Sequence, residues 1–209
     1  MENVAYELRE GGRSQEEALA FAQLAVSAGG DMFPLFFGPR ATDLMARLYP
    51  HESNFMSHRF CRFAWVDGEI AGLMCGFSYD EKRAVTAGNS RDFVRYGAAT
   101  LPRMIWYAMR LNGLVRALEH LEQGEFYVEF LAVHPRFQRM GISQALLNLA
   151  EQQARSKGCR CVVLDVDIDN ISAIRAYEKW GMHVARSSKT YAWTHRTLGV
   201  HRMERTLSL

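Results

Sequence analysis

The chain of 209 residues carries 25 basic and 23 acidic side chains, a net charge of +2, too balanced for nucleic acid to be its main partner. With 48% hydrophobic and 23% charged residues it has ordinary globular composition, which excludes a disordered chain, a collagen-like repeat and a coiled coil. No apolar run reaches the roughly 18 residues of a membrane span, and residues 1–13 (MENVAYELREGGR) carry charges where a signal peptide has its apolar core. No membrane partner is expected, and the expected location is cytoplasmic.

Residues 14–28 read as a helix. Ser14 caps it, Glu17 stands at the capping-box position, and Ala18, Leu19, Phe21, Ala22, Ala25 and Val26 form an apolar stripe that Gly29-Gly30 ends. Residues 31–38 (DMFPLFFG) read as an aromatic loop and 41–48 as a short helix. The apolar runs 60–66 and 70–79 flank Asp67-Gly68 and predict a hairpin. Residues 83–91 are polar. Helical spacing returns from about Thr100 through Leu101, Met104, Ile105, Ala108, Leu111, Val115, Leu118 and Leu121. Pro102 fits only the first turn of such a helix, and Gly113 weakens its continuity. Then follow a strand over 126–133, a turn at His134-Pro135, a helix over 141–157 stopped by Gly158, and a strand over 161–166. A helix over 171–180 stopped by Gly181 and two closing strands, 182–193 and 200–207, complete the chain. The alternation predicts an α/β or α+β fold with a mixed sheet, in a single domain over 1–209.

Cys159 and Cys161 lack the second pair that a zinc site needs. At alternate strand positions they read as small core residues facing the same way. His134, His183, His195 and His201 lack metal-ligand spacing, all seven histidines read as structural or surface residues, and no metal is expected. Trp65, Trp106, Trp180 and Trp193 read as core residues. Phe33, Phe36 and Phe37 either line an acceptor pocket or anchor their loop, with anchoring slightly favoured.

The segment that carries chemistry is 133–143, VHPRFQRMGIS. A strand ends, a basic turn follows, and a helix starts near Gly141. Unpaired amides at a helix start converge on an anion, the helix dipole favours negative charge there, and Gly141 lets the backbone approach closely. Arg136 and Arg139 add charge-assisted donors. This is neither a P-loop nor a dinucleotide fingerprint, since it has no Gly-Lys-Ser/Thr and only one glycine.

Gln138-Arg-Met-Gly141-Ile-Ser143 resembles the Gln/Arg-x-x-Gly-x-Gly/Ala pyrophosphate loop of the GNAT superfamily of N-acetyltransferases. Leu131-Ala-Val-His-Pro resembles that family's fourth strand and the turn after it. Residues 170–182, with Asn170, Ala173, Tyr177, Gly181 and Met182, resemble its Asn-x-x-Ala-x-x-x-Tyr-x-x-x-Gly-Phe motif. Ser143 stands where the family usually has Gly or Ala, and Met182 where it usually has Phe. The match spans about 126–182. It implies the GNAT fold, a mixed sheet of about six to seven strands flanked by helices. The helical stretch at about 91–122 then becomes an insertion between the third and fourth strands.

The resemblance implies acetyl-CoA as donor and direct transfer to a primary amine of a small molecule or a peptide. Residues 138 to 143, that is Gln138, Arg139, Met140, Gly141, Ile142 and Ser143, would hold the pyrophosphate. Leu131, Ala132 and Val133 would lie along the pantetheine arm, with the Leu131 amide reaching the thioester oxygen. Glu129 is the first candidate for general base, taken to share a strand face with Leu131; its plainer reading is a solvated strand residue. Asp165 competes for the role. Tyr177 would protonate the departing thiolate, against the plainer reading of a core tyrosine. Asn170 would cap its helix and reach the cofactor together with Ala173. A GNAT-fold domain that binds acyl-CoA without catalysis, as a sensor or interaction module, is the alternative. Many members of the family are dimers, so the resemblance allows a homodimer.

Overall fold

The computed structural model describes residues 5–193 and 196–208, so His195 lies outside the described residues. Its strands are β1 (Glu7–Glu10), β2 (Cys61–Val66), β3 (Glu69–Ser78), β4 (Glu125–Val133), β5 (Cys161–Asp167), β6 (His183–Ser187), β7 (Tyr191–Trp193), β8 (Arg196–Leu198) and β9 (Val200–Thr206). Seven form one mixed sheet in the order β1-β2-β3-β4-β5-β9-β6, and β7-β8 make a separate hairpin. The expected hairpin is β2–β3, turned by Asp67 at φ 49° and Gly68 at φ 81°, the left-handed pair that a two-residue hairpin turn needs. The helices are α1 (Gln15–Ala28), α2 (Met32–Phe37), α3 (Ala41–Leu48), α4 (Tyr79–Gly97), α5 (Leu101–Arg110), α6 (Asn112–Glu119), α7 (Ile142–Ser156) and α8 (Ile171–Lys179).

One sheet face packs Phe21, Met45, Leu48, Phe63, Leu73 and Phe77 beneath α1 and α3. The other packs Ile142, Leu146, Leu147 and Ala150 of α7 against Met74, Phe126, Val162 and Leu164. A third cluster joins Leu35 of α2 and Leu111 and Leu114 beside α6 to Leu198 and Val200. It ties the insertion and the β7-β8 hairpin to one end of the sheet.

The structure departs from the sequence expectations at several places. Residues 31–38 hold the helix α2 rather than a loop, because Pro34 falls in its first turn, where a missing N–H costs nothing. The polar stretch 83–91 is helical, so the insertion starts at Tyr79, not near 91. A capping box starts it, with the Ser78 hydroxyl accepting from the Glu81 amide and the Glu81 carboxylate accepting from the Ser78 amide. The break between α5 and α6 falls at Leu111, ahead of Gly113. The strand expected over 182–193 is two strands, and β1 adds an edge that the sequence did not signal. Cys159 and Cys161 are both buried but on opposite sheet faces, because the strand begins only at Cys161. Trp106 is 49% exposed on α5 rather than core.

Two irregularities in the middle of the sheet create the site. β4 and β5 are paired in parallel only from Glu125↔Cys161 to Val128↔Leu164, and beyond that they part. On the other edge of β4, Cys75 pairs with Phe130 and Gly76 with Val128, which leaves Glu129 as an unpaired bulge residue. At the fork lies a buried ion pair. Arg202 of β9 donates to both oxygens of Asp165 at 2.7 and 2.8 Å, and Tyr127 of β4 donates its hydroxyl to Asp165 at 2.9 Å. Arg202 also donates to the carbonyls of Ala117 and His120 at 3.1 and 2.7 Å, which ties the end of the insertion to the sheet.

The Asp165 side chain is 3% exposed, so Arg202→Ala leaves a buried carboxylate without its counter-charge. That variant is expected to lose about 3–5 kcal/mol and roughly 10 °C of Tm. The double variant Arg202→Met/Asp165→Leu recovers most of the loss. Thermal melting of the three proteins checks both expectations.

Candidate active site

Where β4 and β5 part, a cleft of about 530 Å³ opens between them. Its walls include Glu129, Leu131, Ala132 and Val133 from β4, Asp165 and Asp167 from β5, and Asn170, Ala173 and Tyr177 from α8. A second cleft of about 390 Å³ shares Leu131, Ala132, Val133, Gln138, Ala173 and Tyr177 and runs on past Arg139, Gly141 and Ser143. The residues expected from sequence to form the cofactor site therefore stand around one continuous groove, with one exception. Met140 packs its side chain against the core beneath α7. The Ile142 side chain is also buried, so it serves the groove by its position at the start of α7.

The backbone of β4 faces this groove. The His134 amide donates to the Ala71 carbonyl on β3 at 2.9 Å. Amides alternate along a strand, so that of Ala132 also turns to β3, while those of Leu131 and Val133 point the opposite way, into the gap that β5 has vacated.

The start of α7 closes the far end of the groove. Gly141 is its N-cap at φ 78°, and Arg139 is also left-handed at φ 64°. No side chain caps α7, and its first turn has no acidic residue, whereas α1 and α4 each carry a capping box. The donor set left at this helix start is the chemistry an anionic phosphate group needs. Arg136 is drawn elsewhere, pairing with Glu69 at 3.1 Å. Asn170 caps α8 by accepting from the Ala173 amide at 3.2 Å.

The bulge changes what Glu129 faces. Tyr127, Phe130 and Ala132 pack on the α1 side of the sheet, whereas Val128, Leu131 and Val133 pack on the α7 side. Simple alternation is broken between 128 and 130, so the two-residue spacing no longer fixes the face of Glu129, although it lines the groove with Leu131 as expected. It stands between the groove and a separate pocket of about 270 Å³ that it lines together with Tyr127 and Phe130. Burial raises its pKa to about 7, Lys82 pulls the other way, and the charge of Asp165 adds to the rise. Tyr177 lines the groove, and burial pushes its pKa up to about 12, so it holds its proton at neutral pH. Asp165 is the third candidate the structure brings here, with its oxygens engaged by Arg202 and Tyr127.

Phe33, Phe36 and Phe37 of α2 line the 270 Å³ pocket and brace one another, with Phe33 at 5.3 Å from Phe37 and at 5.5 Å from Phe130. Sequence reasoning missed Arg196 and Arg202. Arg196 bridges Asp31, at 3.0 Å, and Asp167. The closing strand VHRMERT carries His201, Glu204 and Arg205 as well, so its composition did not single out Arg202.

Residues 30–182 match the Acetyltransferase (GNAT) family. Over 167 residues the chain is 26% identical to GCN5-related N-acetyltransferase 4, chloroplastic, of Arabidopsis thaliana, a match that covers 78% of this chain and 56% of that protein. The chain thus spans little more than half the length of that relative. An N-acetyltransferase from Staphylococcus aureus superposes with a TM-score of 0.64 at 16% identity, over 95% of this chain and 100% of that one. An acetyltransferase from Bacillus subtilis in complex with CoA superposes with a TM-score of 0.57 at 13% identity, over 98% and 100%. The family match covers more than half of the chain, and the mixed seven-stranded fold agrees with it: the chain belongs to the GNAT family of acetyltransferases.

Proposed function

We propose that the protein transfers an acetyl group from acetyl-CoA directly to a primary amine, with Glu129 as base and Tyr177 as acid. The observation that carries this reading is the parting of β4 and β5. It gathers the outward amides of Leu131 and Val133, Glu129, Tyr177 and the uncapped start of α7 around one groove.

Acetyl-CoA supplies an activated acyl carbonyl and a thiol leaving group. The α7 amides, with Gln138, Arg139, Gly141 and Ser143 around them, suit its pyrophosphate. The free edge of β4 over Leu131, Ala132 and Val133 suits its amide-bearing arm, which adds to the sheet as a further strand. Ala173 leaves room on the α8 side, and Asn170 stands at the groove wall. The Leu131 amide is aimed where charge develops on the thioester oxygen.

An alkylammonium of pKa near 10.4 must lose a proton before it attacks. Glu129, with its pKa raised to about 7, is substantially ionised at neutral pH and basic enough to accept that proton. A C–N bond then forms as the C–S bond breaks, and the nitrogen gives its second proton to solvent. Tyr177 gives a proton to the sulfur, and solvent returns both side chains to their starting states. The products are the N-acetylated amine and CoA thiol. Asp165 accepts three hydrogen bonds from Arg202 and Tyr127, which leaves it the role of holding the fork open rather than that of base.

Calorimetric titration with acetyl-CoA, followed by thiol-release kinetics on primary amines, tests the reading. Saturable binding without turnover of any amine would overturn it. Activity is expected to rise with pH through about 7, because the base must be ionised. Glu129→Gln is expected to remove this limb and lower kcat/KM by about 10²-fold or more. A raised pKa also means that the folded state holds its proton more tightly, so stability falls as pH rises through the window between the ordinary glutamate value and about 7. Glu129→Gln is therefore expected to have the higher Tm at pH 8, with the difference fading towards pH 5, as thermal melting at the two values would read. Tyr177→Phe is expected to lower kcat by tens-fold while the acetyl-CoA affinity holds. Gly141→Ala forces a side chain into left-handed backbone at φ 78°, a strain of about 1–2 kcal/mol. It is expected to weaken acetyl-CoA binding about tenfold by calorimetry.

A further inference from the structure

The pocket on the far side of Glu129 differs in chemistry from the donor groove. Phe33, Phe36, Phe37, Tyr127 and Phe130 give it rings on several sides. The insertion closes it with Val115 and Leu118, and the rings are buttressed from behind by Phe93 of α4 against Phe37 and Tyr107 of α5 against Phe36. The two spaces meet at Ala28, Gly29, Glu129, Asp165 and Asp167.

Three carboxylates at that junction suggest a polyamine at first sight, but two of them are already held in arginine pairs. Asp165 is paired with Arg202, and Asp167 shares Arg196 with Asp31. Glu129 stands beside the rings with the charge of Lys82 acting on it against the like charge of Asp165, and its single carboxyl suits one ammonium group and not a string of them. At about 270 Å³ the pocket lies at or below the lower end of small-molecule sites. That size takes one ring on a short arm rather than a run of peptide.

Resting on the acetyl-transfer reading above, we infer that the acceptor is an arylalkylamine, a primary amine on a short alkyl arm whose aromatic ring sits among Phe33, Phe36 and Phe130 while its nitrogen lies at Glu129. Rings favour edge-to-face and offset contact with other rings beyond simple burial, and this pocket offers preorganised partners. Gly29 sets the position of one of them. A Cβ there would lie 2.0 Å from Cδ2 of Phe33, although the backbone at φ −76° accepts any residue. Gly29→Ala therefore moves the Phe33 ring without backbone strain.

The test uses the full chain with acetyl-CoA and four acceptors: 2-phenylethylamine, n-butylamine, spermidine and a short peptide with a free N-terminus. Thiol release gives kcat/KM for each, and calorimetry gives the affinity of 2-phenylethylamine for the CoA-bound protein. The expected result is a kcat/KM for 2-phenylethylamine at least tenfold above the other three. Phe36→Ala and Gly29→Ala are each expected to cut that preference and the 2-phenylethylamine affinity by fivefold or more. Phe36 stands outside the donor groove, so acetyl-CoA binding by Phe36→Ala reports whether that variant is folded. Should n-butylamine, spermidine or the peptide match or exceed the ring amine, the pocket assignment is overturned while acetyl transfer stands. If no amine turns over, acetyl transfer is overturned. Affinity for 2-phenylethylamine that both variants weaken would still support the ring pocket, and absence of binding would remove it as well.

Discussion

The candidate site of this protein depends on the place where two parallel strands stop pairing. A β-strand in the middle of a sheet normally spends both rows of its backbone donors and acceptors on its neighbours. β4 spends one row on β3 along its length and the other on β5 only as far as Val128. Open backbone in a sheet interior is costly unless water or a ligand satisfies it, so the fork is unstable without something to hold it. The Asp165–Arg202 pair, with the Tyr127 hydroxyl on the same carboxylate, does that work at its apex. It links three strands through groups too polar to be replaced by simple closure of the sheet.

The fork also separates two kinds of recognition. On the α7 side the groove is built from backbone: outward amides, a left-handed glycine and an uncapped helix start. Such a surface suits the polar, phosphate-bearing donor proposed for it and depends little on side-chain detail. On the α1 side the pocket is built from rings and aliphatic side chains carried by α2, α6 and β4. Glu129 belongs to both, and the bulge puts it there. The extra residue breaks the two-residue alternation, so a carboxyl enters the seam between the two spaces. Its desolvation is unfavourable for folding and useful for proton transfer, a trade of stability against reactivity that perturbed groups in clefts commonly display.

The groove along β4, α7 and α8 was legible in the sequence because its signals are local. Gly141 needs a left-handed conformation, Asn170 needs a cap, and the apolar spacing of α7 and α8 follows from one element at a time. The turn at Asp67-Gly68 and the capping box at Ser14 are local in the same sense. What escaped depends on pairing between distant segments. The bulge at Glu129 exists only in the register of β4 against β3, and nothing within residues 125–133 announces it. Arg202 and Asp165 are separated by 37 positions, and their strands meet only in the folded sheet. α2 and the start of α4 escaped for another reason: a proline and a polar composition mask helices that tertiary contacts hold in place.

The same arginine that holds the fork also holds the insertion. One nitrogen of Arg202 reaches the carbonyls of Ala117 and His120, at the end of the segment whose Val115 and Leu118 close the ring pocket. The side chain that pairs with Asp165, one of the charges acting on Glu129, is therefore bonded to the backbone that helps fix the pocket's shape. Because Arg202 is itself 4% exposed, neither contact is loosened by competing water. A change in the insertion that moved those carbonyls would leave a buried guanidinium under-satisfied and disturb Asp165, and with it the electrostatics of Glu129. The ring pocket is thus not a loop appended to an independent groove. Its outline is held by the same hydrogen-bonded network whose Asp165 and Arg202 charges act, after burial and Lys82, on the carboxyl beside it, so a shift of the insertion reaches that carboxyl too.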